Sequence, residues 1–390
     1  LNNCFRRTNH LQGLHNIAGL RDRARAKLPA PIFDYLEGGA DDEWSLRRNT
    51  KAFDDYALLP SQLNNVDRLD IKTDLLGTTL QLPFFLSPTG MSRLFHHHKE
   101  LGVCRAADRF GTLYSLSTMA TTRLEDVAAA TAGPKMFQIY MLKDRELTRE
   151  FVQRCQASHY QALCLTVDTA VAGNRERDRV NGMTMPPKIR FKQALSYAGC
   201  FSWLWHLLRQ PDIKLVNVAH REDALGKGAM GLIDYVNSQF DRTVTWDDVA
   251  WLVQQWGGPF VIKGIQSPED AKRAVQVGAT AVMISNHGGR QLDGTPAPVD
   301  CIAPIRQAVG DQLELIVDGG IRRGSHIVKA LALGANACAI GRPYLYGLAA
   351  GGQAGVEKSL YILQQELACT MRLLGVSRVN DIQYKHLMKQ

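Results

Sequence analysis

No C-x-x-C pair occurs in the 390 residues, and no histidine stands at zinc-ligand spacing from a cysteine. The eight cysteines are Cys4, Cys104, Cys155, Cys164, Cys200, Cys301, Cys338 and Cys369. Several sit inside apolar runs, where a thiol acts as a small hydrophobe. The pattern predicts a reducing compartment and no metal centre. His96, His97 and His98 read as surface, because adjacent loop residues do not easily converge on one ion. The opening LNNCFRRTNHLQGLHNI has no continuous apolar core and predicts no secretory signal. The stretch QALSYAGCFSWLWHLLRQ (193–210) has only about fifteen uncharged residues, too few to span a bilayer. Basic residues form no stripe interleaved with aromatics, which argues against nucleic acid as a partner. No G-x-G-x-x-G follows a strand and opens a helix, which argues against a nicotinamide dinucleotide.

What is present is ordinary globular composition, 45% apolar and 22% charged. The net charge of +8, from 46 basic and 38 acidic residues, suits anionic substrates or anionic lipid headgroups. Eight short apolar runs recur: PFFLSP (83–88), TLYSLS (112–117), KMFQIY (135–140), ALCLTVD (162–168), PFVIK (259–263), TAVMIS (280–285), LELIVD (313–318) and ACAIG (337–341). They do not alternate apolar with polar, so both faces of each strand are expected to be buried, as in a parallel sheet. Helical patterns lie between them. Thr122 and Glu125 form a candidate capping box. Ser267 and Pro268 read as a helix start, with stops at Gly278 and Gly334. Eight strand–helix alternations predict a (β/α)8 TIM barrel, with an open doubly wound sheet as the rival. Residues 1–390 read as one domain, with an N-terminal helical extension that includes a helix near 19–37. One gap breaks the rhythm: residues 169–244 form a long insertion between the fourth strand and its helix, Thr245 to Trp256. In a barrel that loop emerges over the catalytic face.

Polar residues follow every strand. Pro88, Thr89 and Gly90 come after the first, and Ser117 ends the second. Gln138 and Tyr140 sit two apart on the third, Thr166 and Asp168 two apart on the fourth, so each pair shares a face. Lys263 ends the fifth, and Ser285, Asn286 and His287 end the sixth. Asp318, Gly319, Gly320 and Arg322 follow the seventh; Gly341 and Arg342 follow the eighth. The last two clusters combine bendable glycines with arginine, where backbone N–H groups approach a phosphate closely. Loops after strands seven and eight are the usual phosphate site of such barrels. A mononucleotide, FMN, fits this better than a dinucleotide. Its ring would lie across the barrel mouth against Gln138, Thr166 and Lys263, with the lysine stabilising the negative charge of the reduced ring. His287 reads as a base and Arg290 as an anion anchor on a loop that Gly288 and Gly289 fold tightly. Asp168 can orient the imidazole from another strand. Arg175 supplies a second guanidinium, while Arg177 and Arg179 read equally well as a solvated mixed-charge loop. Two arginines, a histidine and Tyr140 suit a small carboxylate bearing a hydroxyl.

SNHGGRQLDG, DGGIRRGSHIVKALALGA, IGRP, LTVD and FDYLEGGADDE together resemble the FMN-dependent 2-hydroxy acid dehydrogenases and oxidases, over about residues 15 to 380. The sequence looks closest to the membrane-associated (S)-mandelate and L-lactate dehydrogenases. The resemblance implies that His287 is the active-site base and Asp168 its partner. It implies that Arg175, Arg290 and Tyr35 bind the substrate carboxylate and that Tyr140 bonds the substrate hydroxyl. FMN contacts then fall on Pro88, Thr89, Gly90, Ser117, Gln138, Thr166, Lys263, Ser285, Asp318, Gly319, Gly320, Arg322, Gly341 and Arg342. Typical oxidases of the family carry Ala where this chain has Gly90. That departure favours a dehydrogenase passing electrons to quinone or another membrane acceptor. An oxidase using dioxygen is the alternative, and a non-redox phosphate-binding barrel is the rival from another class. Met119 and Ala172 are expected to line the side-chain end of the pocket. The resemblance also implies a homotetramer.

Within the insertion, residues 193–210 would place Ser196, Gly199, Ser202 and His206 on one helical stripe. Phe201, Trp203, Leu204, Trp205, Leu207 and Leu208 cover most of the rest. Lys188, Arg190 and Lys192 precede this stretch, and Arg209 and Lys214 end or follow it. Such a helix suits an anionic interface or a lid on the barrel. With the resemblance, residues 180–230 are expected to associate with the membrane. The protein is then peripheral and monotopic on the cytoplasmic side of the inner membrane; a soluble cytoplasmic protein is the alternative.

Overall fold

The computed structural model describes residues 11–181, 196–210, 213–218 and 240–390. Eight strands close into a barrel: β1 (Phe84–Leu86), β2 (Tyr114–Ser117), β3 (Lys135–Tyr140), β4 (Ala162–Thr166), β5 (Phe260–Ile265), β6 (Ala281–Ser285), β7 (Glu314–Asp318) and β8 (Ala337–Ile340). All eight pairings are parallel, and β8 returns to β1 through Cys338 opposite Phe84. Every residue of β1, β2, β4, β6 and β8 is buried, as the unbroken apolar runs require. Thus the eight expected strands all form, each within a few residues of its run.

Two hydrophobic layers hold the barrel. Inside it, Phe85, Met136, Cys164, Val261, Met283 and Ile316 pack together. Leu75, Leu76 and Leu80, from the hairpin Thr73–Leu75 and Thr78–Leu80, join that cluster. The hairpin plugs the N-terminal end of the barrel, where Leu76 N–H donates to Glu314 at the start of β7 at 2.8 Å. Outside, Phe137, Leu163, Ile262, Ile284 and Val317 face the surrounding helices. Burying each such side chain is worth about 1.5–3 kcal/mol. With the N-terminal end closed by the hairpin, the C-terminal rim is left as the open end.

The helix expected near 19–37 is two: α1 (Ile17–Lys27) and α2 (Ala30–Glu37). Pro29 breaks them, forcing Leu28 into extended backbone (φ −98°, ψ 143°). Pro31 is tolerated in the first turn of α2, where no N–H partner is lost. α3 (Trp44–Lys51) follows. The expected capping box at Thr122 does not form. That helix begins at Leu124 behind Arg123. Thr122 Oγ1 donates instead to buried Glu100 at 2.6 Å, and Glu125 accepts from Arg154 at 2.7 Å. The helix at 267 starts as expected, with Ser267 accepting from Asp270 N–H.

The insertion leaves the barrel after β4. It contains α4 (Glu176–Val180) and α5 (Phe201–Arg209), then returns to α6 (Trp246–Trp256), which Thr245 and Asp248 cap reciprocally. Lys188, Arg190, Lys192 and much of 180–230 lie outside the described residues. α5 is bolted to the loop after β1. Arg93, itself buried, donates to the carbonyls of His206 and Gln210 at 2.7 Å each, capping the helix end. Trp203 Nε1 donates to Leu94 O at 2.7 Å. Phe201, Trp205 and Leu208 remain exposed on the outer side, at 79%, 55% and 69%. No helix among the described residues is long and apolar enough to cross a membrane.

Candidate active site

A cavity opens at the C-terminal rim, and nearly all the expected site residues line it. Asp168 and Ser285 do not line it; they stand behind His287 and Lys263. Met119 and Ala172 are in the wall, as expected for a side-chain pocket.

The acid–base pair comes from two loops. His287 Nδ1 lies 3.0 Å from Asp168 Oδ1. His287, Gly288 and Gly289 all take left-handed backbone, at φ 59°, 66° and 73°. Glycine adopts that freely and histidine does not. The turn is held by Asn286, which accepts from Gly289 N–H at 3.1 Å and pairs with Asn49 of α3 at 2.7 Å. Asp168 is set by β5. The β5–β6 register slips between Lys263 and Ile265, around Gly264 at φ 107°. A methyl on Gly264 would sit 2.8 Å from Asp168 Cβ, so the bulge makes room for the carboxylate.

Burial pulls the His287 pKa below the ordinary imidazole value; Asp168 opposes it and Lys263 adds to it. The ring is therefore neutral at neutral pH and can accept a proton at Nε2. Burial alone would raise Asp168, but His287 and Lys263 overcome it and keep the carboxylate ionised.

Lys263 anchors a buried polar cluster under the rim. Its Nζ donates to Ser285 Oγ at 3.0 Å and lies 3.2 Å from Asp318 Oδ2. Ser285 Oγ donates to the same carboxylate at 2.8 Å, and Ser87 Oγ donates to its other oxygen at 3.0 Å. Burial disfavours the ammonium, yet Asp318 and Asp168 outweigh it and hold the Lys263 pKa above its ordinary value. The result is a fixed cation at the barrel axis. Beside it, Gln138 accepts from Ser117 Oγ at 2.9 Å and donates to Ile139 O at 2.9 Å.

The loops after β7 and β8 form the cradle. Gly319 and Gly320 take φ of 134° and 77°. A methyl on Gly320 would meet Asn49 O at 1.9 Å. Only glycine fits there, and the loop's Gly319, Gly320 and Arg322 line the cavity. Arg342 spends three N–H groups on protein: Leu36 O at 3.1 Å, Gly38 O at 2.8 Å and Gly288 O at 2.9 Å. Burial lowers its pKa to about 10, which still leaves it charged at neutral pH. Arg322 donates to Ile321 O at 2.8 Å. Thr89 bonds Tyr344 at 2.5 Å, and Gly90 packs so closely on Met119 that an added methyl would lie 2.8 Å from Met119 Cβ. An orphan-free cation, a polar wall at Gln138 and Thr166, and a glycine cradle at the last two loops fit a flavin mononucleotide.

Two further arginines line the cavity. Arg290 donates to the carbonyls of Tyr35 and Gly38 at 2.7 and 2.9 Å, and lies 5.0 Å over the Tyr35 ring. Burial, then Arg175, lowers its pKa, while Tyr35 and Asp178 oppose them. Arg175 also lines the cavity. Arg177 does not; it pairs with Glu43 and lies 3.8 Å from Asp34. Tyr140 packs on Phe240 at 4.9 Å between ring centres. Burial pushes its pKa up to about 12, so its hydroxyl is a donor at neutral pH.

The histidine triplet departs from the surface reading. The ring nitrogens of His96, His97 and His98 lie within 4.8 Å of one another, with His96 and His97 half-buried. His97 stacks on His206 of α5 at 3.6 Å. Burial, with the neighbouring imidazoles, pushes His96 down to about 2. His96 Nδ1 accepts from His98 N–H at 3.0 Å, and His98 Nδ1 accepts from Gln353 N–H at 3.1 Å. A neutral imidazole that accepts at Nδ1 carries its proton at Nε2 and has no lone pair left for an ion. His96 and His97 stack, and His98 meets both rings edge-on.

Sequence reasoning missed Ser87, Asn49 and Asp178. Ser87 lay inside an apolar run, Asn49 is far away in sequence, and Asp178 sat in what read as a mixed-charge loop.

Residues 24–389 match the family described as FMN-dependent dehydrogenase. An L-lactate oxidase of Nostoc sp. is 42% identical, over 94% of this chain and 96% of that protein. An L-lactate dehydrogenase of Yersinia pestis is 39% identical, over 93% and 95%. Among solved structures, a monotopic membrane (S)-mandelate dehydrogenase superposes with a TM-score of 0.93 at 33% identity, covering 97% of this chain and 100% of that one. The cradle, the buried lysine and the His–Asp pair thus sit in a chain that belongs to the FMN-dependent dehydrogenase family, an FMN-dependent oxidoreductase of 2-hydroxy acids.

Proposed function

We propose that the protein oxidises an (S)-2-hydroxy acid of the mandelate or lactate type to the 2-keto acid and passes the electrons to a membrane acceptor such as quinone. The observation that carries this is His287, backed by Asp168 at 3.0 Å, lining the same cavity as Arg175, Arg290 and Tyr140. Bound FMN supplies the two-electron acceptor. Pro88, Thr89, Gly90, Ser117, Gln138, Thr166, Lys263 with Ser285 and Asp318 behind it, and the loops Gly319–Gly320–Arg322 and Gly341–Arg342 would hold it. Arg175 and Arg290, with Tyr35, fix the substrate carboxylate; paired guanidiniums bind a planar anion in a defined orientation. The Tyr140 hydroxyl bonds the substrate hydroxyl. His287 Nε2 takes the proton, and Asp168 stabilises the imidazolium that results. Lys263 offsets negative charge that develops beside it.

Anaerobic mixing with a panel of (S)- and (R)-2-hydroxy acids tests this. Flavin bleaching selective for one or more (S)-acids is expected; a flavin that no hydroxy acid reduces overturns it. A second reading, an oxidase using dioxygen, is favoured by the lactate-oxidase relative, whereas Gly90 favours the dehydrogenase. Peroxide formed per substrate turnover separates them. The exposed Phe201, Trp205 and Leu208, and the likeness to a monotopic membrane protein, support a peripheral site on the cytoplasmic face of the inner membrane. A homotetramer, tested by mass in solution, completes the proposal.

A further inference from the structure

We propose that Asp178 is a positioning residue: it holds Arg175 in the substrate site and balances the Arg175–Arg290 pair. This rests on the reading that the two arginines bind the substrate carboxylate. Asp178 lies on α4, three residues after Arg175, and is 8% exposed. Its Oδ2 is 3.9 Å from Arg175 Nε. Its Oδ1 is buried without a hydrogen-bond partner. A carboxylate so placed is costly unless nearby charge compensates it.

Four charged groups face it. Arg175 and Arg177 lie on its own segment, Arg290 comes from the loop after β6, and Asp34 comes from α2. Arg177 is already matched by Glu43, and Asp34 repels. That leaves Arg175 and Arg290, two like charges in one pocket, for Asp178 to balance. Burial raises its pKa, while Arg290, Arg175 and Arg177 act to lower it. No side chain caps the start of α4, so a capping role does not account for it.

Removing its charge would draw a substrate anion more strongly, but would also let the two guanidiniums repel. These effects oppose each other. What remains is the freedom of Arg175, a long side chain that must then be ordered by substrate alone. That loss corresponds to about a tenfold weaker site.

The test is Asp178→Asn in the FMN-loaded protein, alone and with Arg175→Met. The probes are the best (S)-2-hydroxy acid and oxalate, a carboxylate that cannot be oxidised as a 2-hydroxy acid. D178N should keep FMN and raise KM and the oxalate inhibition constant together about tenfold, with kcat within about threefold. In the R175M background D178N should add less than about twofold, because its effect runs through Arg175. KM and oxalate binding within about twofold of the parent, or an undiminished penalty in the R175M background, overturns the proposal. If D178N does not retain FMN, Asp178→Glu decides: it keeps the charge but shifts it by one methylene. Weaker oxalate binding supports the proposal; unchanged binding overturns it. If R175M by itself leaves KM unchanged, the carboxylate reading has failed, which is a separate outcome.

Discussion

His287 reaches Asp168 from a backbone that histidine rarely adopts: the 3.0 Å contact and the φ of 59° occur in the same residue. Left-handed backbone at a non-glycine residue costs about 1–3 kcal/mol and persists where the surroundings fix it. Here Ser285 Oγ accepts from the His287 N–H at 3.0 Å. Ser285 thus ties the base to the Lys263–Asp318 cluster. His287→Gln should keep FMN, since the cradle lies on other loops, and should slow flavin reduction by about 10²–10⁴-fold. Stopped-flow absorbance measures this, and parental rates would remove His287 from the reaction.

The protonation state of that base gives a pH dependence with a defined sign. The ring must be neutral to accept a proton, so kcat/KM falls as pH drops through its pKa. Burial holds that pKa below the ordinary histidine value, and Asp168 partly restores it. The acid limb should therefore lie below about pH 6.5. Asp168→Asn removes the restoring charge and should move the limb to still lower pH, besides lowering the plateau. A limb that stays put or moves upward contradicts this pairing.

Gly264 is the backbone counterpart of the same pair. Alanine there would be strained at φ 107° and would press its methyl within 2.8 Å of Asp168 Cβ. Gly264→Ala should lower kcat, and cost about 1–3 kcal/mol of stability. Thermal unfolding and steady-state kinetics on one preparation check both. Full activity would show that Asp168 tolerates displacement.

Lys263→Met would leave Asp318 without its cation in a site where the lysine side chain is 4% exposed. Breaking a buried pair from one side costs about 3–5 kcal/mol. The variant should unfold at lower temperature and bind FMN weakly. Lys263→Met with Asp318→Asn should recover part of the stability, since Asp318 is no longer a lone charge, but not the rate of flavin reduction.

Much of this was legible in the sequence, and the reasons are local. A strand buried on both faces shows no apolar–polar alternation, so KMFQIY, apolar except at Lys135 and Gln138, marks β3 at 135–140. A barrel with a filled interior confines chemistry to its rim, so the residues that end the runs mark the cavity wall. What was illegible depends on distance. Thr122 resembles a helix cap in its own segment, but Glu100, on the preceding helix, claims its hydroxyl. Asn49 fills the space beside Gly320, and nothing near either residue announces the other. The break at Pro29 is the exception, since its signal is local. His98 is exposed, as a surface reading expects, whereas His96 and His97 are half-buried where a fourth ring, His206, arrives from the insertion.

That insertion yields the last prediction. α5 has an inner side fixed to the protein by Arg93 and Trp203, and an outer side carrying Phe201, Trp205 and Leu208. Arg209 lies 4.5 Å over the Trp205 ring, placing a cation at the rim of that apolar stripe. Full burial of each large apolar side chain is worth about 1.5–3 kcal/mol, so even partial immersion of three would hold the protein on an anionic surface. Replacing all three by serine leaves the clamps intact. The variant should therefore reduce its flavin at the parental rate while no longer sedimenting with anionic vesicles. If it still sediments, this face of α5 is not the contact; if flavin reduction falls with it, α5 supports the loop after β1 as well as the surface it faces.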